Sequence, residues 1–146
     1  MILDAQNEFS NSQAVTATAI STNVIDTGTA QNPVKNLGGP EPIYLVLQVD
    51  ATFTAAGAAT LTATLESSPN ANLSAGTVHF ATGALALAQL SGGTTLAVVA
   101  LPAGEYARYL GMRYTVATGP MTAGTVSAFL TRDPQLWRAY AAAVGR

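Results

Sequence analysis

The sequence predicts an all-β domain, an antiparallel jelly roll or β-sandwich of about eight strands with a short C-terminal helix or arm. Three observations predict it. Apolar residues recur with period two along most of the chain, which is the strand signature. Clusters of Gly, Pro, Ser and Asn punctuate those runs. No helix-period segment lies between them, so the crossovers of a parallel sheet are absent.

Taken in order, 14–25 is rich in β-branched residues and reads as one or two strands. Over 43–50, Ile43, Leu45, Leu47 and Val49 share one face, while Tyr44, Val46, Gln48 and Asp50 share the other. Leu61, Ala63 and Leu65 alternate with Thr60, Thr62, Thr64 and Glu66. Val78 and Phe80 alternate with Thr77 and His79. The stretch 96–101 is wholly apolar and reads as a short central strand. Leu110, Met112, Tyr114 and Val116 oppose Arg113 and Thr115, and Val126, Ala128 and Leu130 oppose Thr125, Ser127 and Thr131. Turn signals stand at 36–40, 67–70, 91–93, 102–104 and 118–120, where Gly supplies positive φ and Pro removes a ladder donor. The carboxyl end changes character: Asp133 suits an N-cap, Pro134 a first helical position and Gly145 a stop, with Leu136, Tyr140 and Val144 at helical spacing between them. The expected division is a jelly-roll domain over 1–132 and a helix or arm over 133–146. That arm either folds over the domain's own sheet edge or docks on a neighbouring subunit.

At 146 residues the chain reads as one domain, able to bury roughly 70% of its unfolded surface without disulfides or metal. Charged residues make up only 10% of it, against about 25% in an ordinary soluble domain. Thr, Ser, Asn, Gln and Ala take their place. Uncharged polar groups cost less to desolvate than ions, so such a surface suits packing against neighbours. It equally suits a Thr-rich β-protein that is simply soluble. The net charge of −2 gives no basic stripe for nucleic acid. With no cysteine, redox chemistry and zinc–thiolate sites are excluded. The first residues have neither the basic nor the apolar region of a signal peptide. No apolar run reaches the roughly 20 residues of a membrane helix. The expectation is therefore a protein made and used in the cytoplasm that assembles it, with no membrane partner.

Candidate chemistry is sparse. Asp26-Thr27-Gly28 matches the tripeptide of aspartic proteases, whose two carboxylates share a proton to activate water. A single copy would need a dimer, and Val24, Ile25 and the later Tyr109, Leu110 and Gly111 extend the likeness faintly. The same tripeptide is an ordinary strand-to-turn sequence. His79 is the chain's one histidine; it would have to be the base of any Ser-His-Asp triad, and no G-x-S-x-G elbow accompanies it. One histidine with scattered carboxylates has no metal-ligand spacing, and the glycines form no phosphate loop. Glu105, Arg108 and Arg113 read as ion-pairing near one strand end. Neither cofactor, metal nor catalytic residue is expected.

Taken together, MILDAQ at 1–6, FS at 9–10, QAVTATAISTNVID at 13–26, PIYLVLQV at 42–49, LPAGEYARYLGMRYTV at 101–116 and TAGTVSA at 122–128 resemble the bacteriophage capsid cement proteins typified by that of a Bordetella phage. The resemblance runs to about Asp133 and does not include the tail. It implies a jelly roll on the outer surface of the virion, clamping neighbouring subunits of the major capsid protein and binding itself, as a dimer rather than a trimer, with no enzymatic activity. Ile2, Leu3 and Phe9 near the amino terminus and Trp137, Arg138 and Tyr140 in the tail are the candidate contacts, since Trp, Tyr and Arg are common interface anchors. Phe9 and Trp137 have the alternative of capping the domain's own core. Competing functions are a tail- or fibre-associated β-domain, a homodimeric protease using Asp26, and a carbohydrate-binding sandwich, for which the aromatics are few and dispersed.

Overall fold

The structure, a computed structural model, describes residues 5–28, 37 and 41–134. Ten strands are present among them: β1 (Glu8–Ala14), β2 (Ala19–Ile20), β3 (Ile25–Asp26), β4 (Tyr44–Ala55), β5 (Thr60–Ser68), β6 (Thr77–Ala81), β7 (Leu85–Ala86), β8 (Thr95–Ala100), β9 (Tyr109–Ala117) and β10 (Met121–Thr131). One sheet has the order β1-β10-β4-β8; the other has β9 and β5 at its centre, with β2 and β3 along one side and β6 and β7 along the other. Every pairing is antiparallel. Counting β2 and β3 as one interrupted strand and β7 as an appendage leaves eight strands. The first, last, third and sixth of these form one sheet and the second, seventh, fourth and fifth the other, which is the jelly-roll arrangement.

The predicted alternation produces the core. Leu45, Leu47 and Val49 of β4, Leu61, Ala63 and Leu65 of β5, Leu110, Met112 and Tyr114 of β9, and Val126, Ala128 and Leu130 of β10 meet between the sheets. The Tyr114 hydroxyl has its partner inside, 2.8 Å from Ser10 Oγ, and burial pushes its pKa well up. Gly124 of β10 is required by packing: its φ is 138°, and a Cβ there would overlap the ring of Phe53. Both features belong to an irregular stretch of the β4–β10 ladder.

Bulges account for most departures from simple alternation. Leu65 pairs with Phe80 and Glu66 with Val78, so β6 carries one extra residue, His79. An added residue turns the remainder of the strand to the opposite face. Phe80 therefore packs against the core while Val78, expected beside it, is 52% exposed. A second bulge in β1, where Glu8 pairs with Phe129 and Ser10 with Ala128, buries both Phe9 and Ser10.

Two further expectations are corrected. The apolar stretch 96–101, expected as a central strand, contains β8, which is an edge strand bonded to β4 alone. Its hydrophobicity reflects inward packing of Leu96 and Ala97, not cover on both sides. Glu66, placed on the solvent face, is only 6% exposed, because Arg113 and the 69–76 loop lie over it. The stretch 14–25, expected as one or two strands, holds the end of β1, then β2 and the start of β3, each of two residues. The expected helix or arm over 133–146 lies outside the described residues from 135 onward; Asp133 and Pro134 are not helical.

Candidate functional site

Asp26 ends β3, where the strand pairs with β9 through Asp26 opposite Tyr109. Thr27 then turns in, its N–H and its hydroxyl both donating to Arg108 O at 2.8 Å. This aims the Asp26 carboxylate along β9 at the Arg108 guanidinium, which grips both oxygens (Nε to Oδ1 2.9 Å, Nη2 to Oδ2 2.7 Å). The Gly28 N–H donates to Oδ1 at 3.1 Å. Arg108 itself lies over the Tyr109 ring, 4.8 Å from the centroid. The guanidinium first and the Gly28 amide second hold the Asp26 pKa below the usual carboxylate range. A protease carboxylate must keep or share a proton near neutral pH. This one is bound by a cation on both oxygens, so its local chemistry is that of a turn fastener.

Beside it a cleft of about 370 Å³ opens at the end of the sandwich, floored by Ile25, Leu37, Ile43, Leu110 and Leu130 with Arg132 at the rim. Arg132 forms an exposed ion pair with Glu41. The rim charges are thereby paired, and the floor is apolar.

The second cluster is built around the bulge in β6. His79 Nε2 lies 2.7 Å from Ser67 Oγ, and the imidazole stacks on Tyr106 with ring centroids 4.0 Å apart. Burial lowers the His79 pKa and raises that of Tyr106. A serine bonded to a histidine is the first contact of a nucleophilic triad, but this serine is 1% exposed. Its oxygen also accepts the Ala107 N–H at 3.0 Å. Among the described residues no carboxylate bonds to the imidazole. Tyr106 donates to Pro102 O at 2.6 Å, so these contacts together tie the 101–108 loop onto β5 and β6.

Glu66 and Arg113 form the third cluster. Arg113 Nε sits 3.0 Å from each Glu66 oxygen and Nη2 donates to Leu73 O at 2.8 Å. Thr64 Oγ1 donates to Glu66 Oε1 at 2.7 Å. Leu73, buried with φ of 54°, is held in a left-handed conformation by this clamp. The ion pairs expected among Glu105, Arg108 and Arg113 are thus different: each arginine pairs with an acid from another strand.

Sequence reasoning missed Ser67 and Glu66, whose roles depend on neighbours distant in sequence. Of the predicted contact residues, Phe9 is 0% exposed and part of the core; of its two readings the intramolecular one holds, because the β1 bulge turns its ring inward. Ile2, Leu3, Trp137, Arg138 and Tyr140 lie outside the described residues. Among the described residues no three His, Asp or Glu side chains converge to hold a metal, no buried side-chain nitrogen or oxygen lacks a hydrogen-bond partner, and no helix is long and apolar enough to cross a membrane.

These clusters spend their polar groups on pinning loops, so fold and site together define a jelly-roll module with built surfaces. The family is specific. The Bbp16 family model matches residues 9–130, and the chain belongs to this family of Bordetella phage proteins. No curated protein matches the chain.

Proposed function

We propose that this protein is a structural component of a phage virion that binds the outside of the capsid and cements neighbouring major capsid subunits. Membership of the Bbp16 family over most of the chain carries the reading. The physical character of the domain supports it. Its loops are pinned by Glu66–Arg113, Asp26–Arg108 and the Ser67–His79–Tyr106 stack, so little conformational entropy is lost on docking. Its surface is poor in charge, and contacts repeated by the symmetry of a shell add up although each is weak. The partners are the major capsid protein and further copies of this chain, as a dimer rather than a trimer. No cofactor, nucleic acid or bond-making chemistry is part of the role.

Sedimentation of the purified protein with and without empty heads tests this. Pelleting with heads and remaining in solution without them is the expected result. Failure to pellet with heads, or pelleting only with tails, overturns it in favour of a tail-associated domain or an unrelated role.

A further inference from the structure

The 101–108 loop between β8 and β9 is fastened at its two ends and in its middle by different means. At one end the Leu101 N–H donates to Ile43 O at 2.8 Å, and at the other the Thr27 N–H and hydroxyl both donate to Arg108 O. Those acceptors are carbonyl oxygens, which do not titrate. Among the described residues one hydrogen bond ties 103–107 to a strand: the Ala107 N–H donates to Ser67 Oγ at 3.0 Å. Tyr106 adds its stack on His79, while its hydroxyl stays within the loop, on Pro102 O.

The single proton of the Ser67 hydroxyl fixes the state of His79. A serine oxygen carries one O–H and accepts through its lone pairs. Here it accepts the Ala107 N–H, and at 1% exposure its own proton has no water to go to. His79 Nε2, 2.7 Å away, is the acceptor within reach. Nε2 is therefore bare and the ring neutral, with its proton on Nδ1. Nδ1 has no partner among the described residues and is not a buried orphan, so it faces water. Acid can then add a proton only at Nε2, where it meets the Ser67 hydroxyl donor to donor. If that hydroxyl turns to accept the new N–H, its own proton is left buried with no acceptor. A cation against the Tyr106 ring gains some attraction, less than an unsatisfied buried donor costs. The neighbouring charges do not offset this. Glu66 on β5 is committed to Arg113 and Arg108 to Asp26, while Glu105 in the loop is exposed and makes no bond to the imidazole.

We propose that Ser67, His79 and Tyr106 form an acid-released latch, in which protonation of the imidazole expels it from Ser67 and lifts the middle of the 101–108 loop off β5 and β6 while both loop ends stay bonded. The water-facing Nδ1 side gives the imidazolium its way out. Its departure uncovers one face of Tyr106, which is 2% exposed in the closed state. Burial holds the His79 pKa below 6.5, so the latch is closed at neutral pH and its contribution is lost as pH falls through the folded value. The device acts within one chain and needs neither a partner nor a bound ligand.

Nitrogen-15 NMR of the His79 ring and amide exchange of the intact protein test it, between about pH 8 and about pH 5, across the ordinary histidine value. The ring should show the Nδ1–H form when neutral. The protection factor of the Ala107 amide, from which the intrinsic pH dependence of exchange is divided out, should fall about tenfold per pH unit below 6.5. The Leu101 and Thr27 amides at the loop ends should keep theirs. Neither measurement requires a variant to fold. In His79→Gln the Ala107 protection should no longer vary with pH. In Ser67→Ala the His79 titration should move up toward 6.5, because no hydroxyl proton then opposes the imidazolium. A neutral ring protonated on Nε2, Ala107 protection that is flat across the range in the parent protein, or a His79 titration unmoved by Ser67→Ala, which would assign its position to burial alone, overturns the proposal.

Discussion

Two arginines five residues apart, Arg108 just before β9 and Arg113 within it, each bond both oxygens of one carboxylate, the first through two nitrogens and the second through Nε alone, and the two pairs do different work. Arg108 holds Asp26 at the surface, where the two side chains are 40% and 43% exposed. Arg113 holds Glu66 beneath a loop, with Glu66 at 8%. Water solvates the first pair whether or not it forms, so its net contribution is small and screened by salt. The second has exchanged water for each other, Thr64 and Leu73, so removing either partner strands a charge. Position in the fold, not the chemistry of the pair, sets its weight.

The largest expected effect is at Glu66. Glu66→Ala leaves Arg113 without its counter-charge and frees the 69–76 loop, destabilising the protein by roughly 3 kcal/mol, measured by urea unfolding. A loss like that of a surface pair would break the contrast. Replacing both partners, Glu66→Leu with Arg113→Met, should recover most of that loss, because an apolar pair strands no charge; a double variant no better than Glu66→Ala would place the cost in the loop contacts instead. Next comes pH. Burial lowers the folded His79 pKa from 6.5, so below that value the unfolded chain takes up the proton first and stability falls as pH drops toward the folded pKa. In His79→Gln that decline should flatten, whereas Asp26→Asn should leave it alone. The smallest effect is Asp26→Asn itself at neutral pH: a barely detectable loss of stability that disappears in high salt. The Asp26 contribution is present above its ordinary value of 3.8 and is lost as pH falls through the depressed folded pKa, so the variant and the parent should converge in strong acid.

The contrast also measures how much of the site was legible. Asp26-Thr27-Gly28 draws attention because the tripeptide is familiar, yet in space it is a strand end fastened to Arg108. Glu66 reads as one more outward residue in an alternating strand, and nothing near it in sequence announces Arg113, Leu73 or Gly76. Ser67 and His79 are likewise brought together by a bulge, an insertion in register that depends on both strands at once.

Alternation and composition alone establish an antiparallel β-domain, the buried faces of β4, β5, β9 and β10, and a chain poor in charge. Those properties arise from period-two hydrophobicity and composition, which are local or global sums. That TLAVVA is an edge, that Phe9 is core, and which acid each arginine holds emerge from the assembled sandwich. Edges, bulges and ion-pair partners are relations between strands far apart in the chain, and the alternation within one strand is the same whichever neighbour it acquires.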